Sequence, residues 1–311
     1  MLEDKKNLRN QRVCLIGLGK MGENMAERLL KKGWKIGVYD IEKEKREKLK
    51  KRGAISIENL GEIKNKIKKE RIIWLMVPHH AVENILFDKK EGLIKVLEKG
   101  DVIVDGGNSF FKKSIERAKR LSQKGIEFLD VGVSGGPEGA KKGACLMIGG
   151  KREVFEKLKP LFSDLSKKGG FEFFGKEGSG HFVKMVHNGI EYGMMQAIAE
   201  GFNLMKNSFF NLDLKKVAKV YNRGSVIQSR LIYWLQRAFE KYGTELKEVT
   251  GKVKMTGEGE WTVKTAKEWK IPVKSIELAV EFRKKTFKKP NYIGKILSAL
   301  RAEFGGHSIK D

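Results

Sequence analysis

Cysteine is nearly missing from this chain: only Cys14 and Cys145 occur among its 311 residues. They show no C-x-x-C spacing, which excludes a thiolate zinc site and a dithiol redox motif. Both are expected to be small buried hydrophobes. No apolar run approaches the length of a membrane span, so no membrane partner is expected. The segment from Met1 to Asn10 is polar and lacks the apolar core of a secretory signal, and a cytoplasmic location follows as the expectation. Aspartate, glutamate and histidine never cluster with metal-ligand spacing, so no metal is expected. There is no internal repeat and no low-complexity tract.

What is present is the composition of a globular protein, 40% hydrophobic and 33% charged, long enough for one large domain and a smaller one. The formal net charge of +25 raises the question of nucleic acid. Its lysines, however, are interleaved with glutamates over stretches such as Glu42 to Arg52 and Lys64 to Arg71. Dispersed charge of this kind is a solvated surface, and no nucleic-acid partner is expected. The same positive field favours a phosphorylated acid and a dinucleotide.

The first half alternates short β-branched runs with charge-rich helical segments, the pattern of a parallel sheet with crossover helices. Strands are predicted at Arg12 to Ile16, Lys35 to Tyr39, Arg71 to Val77, Asp101 to Asp105, Glu127 to Val131, Ala144 to Ile148 and Phe171 to Phe174. Beyond Ser179 only helical periodicity remains: one long helix to about Lys206, then segments near 215–221, 228–241, 263–270, 273–285 and 293–304. The fold class is therefore an α/β Rossmann-type N-terminal domain, residues 1–178, followed by an all-α C-terminal domain, residues 179–311. Ser179, between Gly178 and Gly180, is expected to cap the long helix.

Gly17-Leu18-Gly19-Lys20-Met21-Gly22 lies between the apolar run Val13 to Ile16 and a helical pattern, the strand-turn-helix context a dinucleotide fingerprint requires. Gly17 suits the tight turn, Gly19 lets the backbone approach a pyrophosphate, and Gly22 permits close helix–strand packing. Asp40, at the end of the second strand, accepts hydrogen bonds from a ribose and repels a 2′-phosphate, which favours NAD over NADP. Lys43, Lys45 and Arg46 follow closely, so NADP stays open as the second coenzyme.

Two further glycine-rich segments sit at strand ends, Asp105-Gly106-Gly107-Asn108-Ser109 and Val131 through Ala140, where α/β sheets bind ligands. Turn chemistry explains isolated glycines there, though not Asn108 and Ser134 among them. In the long helix, Lys184, His187, Asn188 and Glu191 follow i, i+3, i+4, i+7 spacing and share one face. Val183, Met185, Val186, Ile190, Met194 and Met195 are expected to surround that polar face with buried apolar surface. A structural ion pair is the plain reading of such a set; a ligand site is the other.

These motifs, with Gly132-Val133-Ser134-Gly135-Gly136, Lys184 through Tyr192 and Arg301-Ala302-Glu303-Phe304-Gly305-Gly306-His307, make the chain resemble the short form of decarboxylating 6-phosphogluconate dehydrogenases, within the β-hydroxyacid dehydrogenases. The resemblance runs nearly end to end. It implies oxidation and decarboxylation of 6-phospho-D-gluconate to D-ribulose 5-phosphate in the pentose phosphate pathway, with Lys184 as general base and Glu191 as general acid. It assigns Asn108, Ser134, Gly135, Gly136, His187, Asn188 and Tyr192 to the sugar acid, and Arg283, Arg301 and His307 to its phosphate. Val77, Pro78, His79 and Asn108 match the loops along the cofactor. A homodimer or homotetramer with shared sites is implied, because in relatives the C-terminal tail reaches a neighbouring subunit. The longer enzymes carry a phosphate-contacting lysine where Thr256 stands here, with Lys252 and Lys254 nearby. A 3-hydroxyacid dehydrogenase that does not decarboxylate is the alternative function.

Overall fold

The computed structural model describes residues 8–310; positions 1–7, most of the polar segment Met1 to Asn10, lie outside the described residues, as does position 311. The chain divides into two compact units, the first ending at Met185 and the second beginning at Val186.

The first unit opens with β1 (Asn10–Ile16), α1 (Lys20–Lys31), β2 (Lys35–Tyr39), α2 (Lys43–Lys50), β3 (Ile55–Ser56), the single turn α3 (Ile63–Lys66), β4 (Ile72–Leu75) and α4 (His79–Phe87). It continues through β5 (Val102–Asp105), α5 (Phe111–Ser122), β6 (Glu127–Ser134), α6 (Gly136–Lys142), β7 (Ala144–Gly150), α7 (Arg152–Leu165) and β8 (Ser166–Gly175). The strands form one sheet in the order β3-β2-β1-β4-β5-β6-β7-β8. Strand residues alternate between its two faces. Val13 and Leu15 join one apolar core with Val38, Trp74 and Phe162. Cys14 and Ile16 join the other with Ile73, Leu75 and Ile103. Burial on both sides is why these strands are continuous apolar runs.

One departure from a wholly parallel sheet appears at β7, which pairs antiparallel with β6. Only residues 135–143 connect them, with α6 as a short helix bounded by Gly135 and Gly143 at positive φ. A parallel crossover needs a dozen or more residues, so the chain turns back instead. The two-residue edge strand β3 is also absent from the sequence-based reading, being too short for a periodic signal.

The second unit is helical throughout the described residues. It follows α8 (Ser179–Lys206), which starts in the first unit, with α9 (Leu214–Tyr221), α10 (Arg230–Tyr242), α11 (Glu258–Glu268), α12 (Lys274–Thr286) and α13 (Tyr292–Gly305). Asp213, Ser229 and Asn291 cap α9, α10 and α13 through side-chain oxygens. Phe202, Trp234, Phe239, Leu297 and Leu300 lie in its core with Met195. Ile190 and Met194 are exposed, contrary to the expectation that apolar surface encloses α8 on all sides. Cys145 is exposed as well, whereas Cys14 is buried and its thiol is pushed up by burial to about 12.

Candidate functional site

In the first unit, the loops after β1, β4 and β5 meet at the carboxyl end of the sheet, where the strand order reverses between β1 and β4. Such a switch point is where open α/β sheets bind ligands. Gly17 has φ +94°, and a side chain there would lie 2.6 Å from the Met76 carbonyl and 2.7 Å from Val77 Cγ1. Gly107 is equally tight against the Val77 carbonyl, at 2.8 Å. Gly19 differs: nothing lies within 4 Å of the place its side chain would occupy. It precedes α1 with no side-chain cap, so the first amides of that helix are left for a ligand. At Gly22 a side chain would strike the Gly17 carbonyl. Gly17 and Gly22 are thus required by close packing and Gly19 leaves its surroundings open, with Leu18, Lys20 and Met21 between them.

Asp40 is buried at the end of β2 and does more than its position suggested. Its Oδ2 accepts from the Leu18 amide at 2.6 Å and its Oδ1 from the Glu42 amide at 2.9 Å, while Lys45 Nζ stands 4.0 Å away. The carboxylate therefore pins the glycine loop. Pro78 begins α4, with His79 exposed beside it and Val77 half-buried. Asn108 is exposed on a loop held from below: Asp105 accepts from the Gly107 amide (3.2 Å), from Ser109 Oγ (2.8 Å) and from Arg117 Nη1 (3.2 Å).

Ser134 ends β6, and Gly135 and Gly136 follow at φ +121° and +62°. Two positions earlier, Gly132 is the seat of Lys184. A side chain on Gly132 would lie 2.9 Å from Lys184 Cγ and nearer still to its Cβ. Lys184 is 7% exposed.

The start of α8 is fixed by Asp130, a residue the sequence-based reading missed. Its Oδ1 accepts from the Gly178 amide at 2.6 Å and its Oδ2 from the His181 amide at 2.7 Å. Burial raises the Asp130 carboxyl, against the pull of His181 and the two amides. Ser179, the expected cap, makes no side-chain hydrogen bond at its buried Oγ. A carboxylate from β6 satisfies the helix N-terminus instead, and no local sequence signal marks a cap so distant in the chain. His181 Nδ1 lies 2.7 Å from Ser114 Oγ, which fixes its ring beside that turn.

In the second unit, His187 Nδ1 and Asn188 Oδ1 are 3.0 Å apart, with Asn188 buried and His187 and Glu191 half-buried. Tyr192 is the centre of a charged cluster. The Arg283 guanidinium carbon lies 3.4 Å over its ring, and Arg283 is 1% exposed. Its Nη2 reaches Met195 Sδ at 3.5 Å, and its Nε and Nη1 have no partner. Burial pulls Arg283 down to about 10, with the Arg301 charge adding to the fall, and leaves it a cation at neutral pH. Arg301 is likewise buried and lowered by burial, against the attraction of Tyr192, Glu258 and Glu191. Arg283, buried with donors that lack partners, thus feels a second buried cation, a setting that suits an anion. His307 lies past the end of α13, exposed, its ring against Gly305. Thr256 Oγ1 donates to Glu258 Oε2 at 2.6 Å. The described residues contain no group of three side chains placed to hold a metal, and no helix among them is long and apolar enough to cross a membrane.

Residues 12–175 match the NAD binding domain of 6-phosphogluconate dehydrogenase, and residues 180–296 match that enzyme's C-terminal domain. The chain is 43% identical to YqeC of Bacillus subtilis (strain 168), provisionally named a 6-phosphogluconate dehydrogenase, over 96% of this chain and 99% of that protein. It is 37% identical to the NAD(+)-dependent, decarboxylating 6-phosphogluconate dehydrogenase of Haloferax volcanii, over 95% of this chain and 97% of that one. The Plasmodium falciparum 6-phosphogluconate dehydrogenase structure aligns with TM-score 0.78 and 32% identity, covering 89% of this chain and 62% of that longer one. A nicotinamide-dinucleotide domain and a helical partner, matched one after the other along nearly all of its length, place this chain in the 6-phosphogluconate dehydrogenase family of oxidoreductases.

Proposed function

We propose that the chain oxidises and decarboxylates 6-phospho-D-gluconate to D-ribulose 5-phosphate and CO2, with NAD preferred over NADP. The observation that carries this reading is Arg283, buried over the Tyr192 ring with donors that have no partner and with the Arg301 charge acting on it, while Tyr192 shares its helix with a lysine seated against glycine. Gly17, Gly19, Gly22 and Asp40 would hold the dinucleotide, and Val77, Pro78, His79 and Asn108 would line it. Bound there, the nicotinamide supplies the acceptor for the two electrons of the oxidation. Lys184, neutral, takes the proton of the substrate's 3-hydroxyl. The 3-keto acid then loses CO2 because its carbonyl accepts the electrons, and the Lys184 ammonium steadies the enolate oxygen. Glu191 returns a proton to C1. Ser134, Gly135, Gly136, His187 and Asn188 orient the sugar acid, while Arg283 and Arg301, with His307, take the phosphate.

Within this reading the dinucleotide module is residues 1–178 and the substrate and oligomerisation module residues 179–311, in a cytoplasmic homodimer or homotetramer. Support for an oligomer comes from large apolar side chains left exposed in the helical unit, among them Leu204, Phe209, Phe210 and Leu278. The test is coupled detection of CO2 and reduced coenzyme, with 6-phosphogluconate and gluconate, and with NAD and NADP. Stoichiometric CO2 from the phosphorylated acid supports the proposal. Reduced coenzyme without CO2 would instead select the 3-hydroxyacid dehydrogenase alternative.

A further inference from the structure

Glu258, in the first turn of α11, is 2% exposed. Thr256 occupies its Oε2, and its Oε1 is buried with no hydrogen-bond partner. The next residue, Gly259, is pressed on Tyr192, a side chain there falling 2.5 Å from Cε2 of the ring that Arg283 covers at 3.4 Å. No ion pair joins Glu258 to Arg283 or to Arg301 among the described residues, although its charge acts on both Tyr192 and Arg301. The cluster therefore has open donors on Arg283 and an open acceptor on Glu258, all buried. A ligand that fits must bring acceptors for the guanidinium and a donor for the carboxylate.

A phosphate monoester has a second pKa of about 6, and cations lower it further, so beside two arginines it is a dianion with no proton to give. The donor must come from elsewhere on the same molecule. We propose that Glu258 is a specificity residue that accepts a hydrogen bond from a carbon-borne hydroxyl beside the substrate's phosphate, so that the subsite selects a polyol phosphate over a bare dianion. The inference rests on the placement of the phosphate end at Arg283 and Arg301 proposed above.

The test compares wild type, Glu258→Ala and Glu258→Gln by calorimetry, with saturating reduced coenzyme present. Dissociation constants are measured for 6-phosphogluconate and for inorganic phosphate. The alanine variant is expected to bind 6-phosphogluconate roughly tenfold more weakly. Freed of carboxylate repulsion, it binds inorganic phosphate about threefold more tightly. Glutamine keeps an acceptor without the charge, so it recovers much of the sugar-acid affinity while still binding inorganic phosphate more tightly. Both affinities moving in the same direction, or glutamine losing as much as alanine, overturns the proposal. If wild type fails to bind 6-phosphogluconate, the functional reading falls, and the inorganic-phosphate comparison still decides whether Glu258 opposes a bare anion.

Discussion

Adding one methyl group at Gly132 tests whether the lysine works because of where it is seated. The new carbon would lie 2.9 Å from Lys184 Cγ, nearer to Cβ, and 3.1 Å from the Gly180 carbonyl. Carbon atoms rest about 3.5–4.0 Å apart, so the Lys184 stem must retreat by roughly 1 Å. A displacement of about 1 Å at a reacting group can cost on the order of 100-fold in rate, or about 2.7 kcal/mol of barrier. Overpacking lowers stability by about 1–3 kcal/mol, which a thermal melt reads as a midpoint lower by a few degrees. Gly17, Gly19 and Asp40 stand on other loops, so coenzyme affinity measured by fluorescence titration stays within about twofold. Gly132→Ala is thus expected to show a kcat about 100-fold lower in a coenzyme-reduction assay, with the fold and the coenzyme site retained. A folded variant that turns over within twofold of wild type would refute the seat as the determinant of Lys184's position.

Asp40→Ala should narrow the ratio of kcat/KM for NAD over NADP and lower the melting temperature, since the Leu18 and Glu42 amides lose their acceptor. An unchanged ratio would assign coenzyme choice to another contact. Arg301→Ala should raise KM for 6-phosphogluconate by about 10- to 150-fold, from about 1.5–3 kcal/mol for a charge-assisted contact. Equal KM values in variant and wild type would remove Arg301 from the subsite. Asp130→Asn tests the helix seat through pH. Because burial raises the Asp130 carboxyl above its usual 3.8, the folded chain holds a proton that the unfolded chain has released. Its contribution is then full below that value and declines as pH rises through the native one, so wild type's lead in melting temperature over Asp130→Asn should shrink from pH 4 to pH 7. A lead that widens over that range would contradict the raised carboxyl.

Much of the architecture was legible because its causes are local. The strand Lys35–Tyr39 and the helix Ser179–Lys206 fall where apolar periodicity placed them. The glycines at 17 and 22 could be read because each answers a separate steric need, whereas nothing crowds Gly19. What escaped the reading was set by partners distant in the chain. Asp130 looks like an ordinary strand residue until β6 brings it to the amides of 178 and 181. Glu258 stands in a segment whose sequence marks only the lysine missing at Thr256, and its burial comes from packing that no local pattern announces. The reversal at β7 was visible in principle as a connection too short for a crossover, and was obscured by a strand pattern identical to that of its parallel neighbours.

The same contrast bears on the two groups proposed to move protons. Seven residues of helix advance about 10.5 Å and turn 700°, only 20° short of two full turns, so Lys184 and Glu191 emerge on one side of α8 whatever surrounds them. That relation needs no tertiary information, and four side chains in sequence sufficed to predict it. Their reactivity does need it. The glycine at 132, with Asp130 holding the turn beneath, leaves room for the lysine stem to lie buried. Spacing therefore tells which groups share a face, and the packing of β6 against the first turn of α8 decides whether the proposed base lies buried.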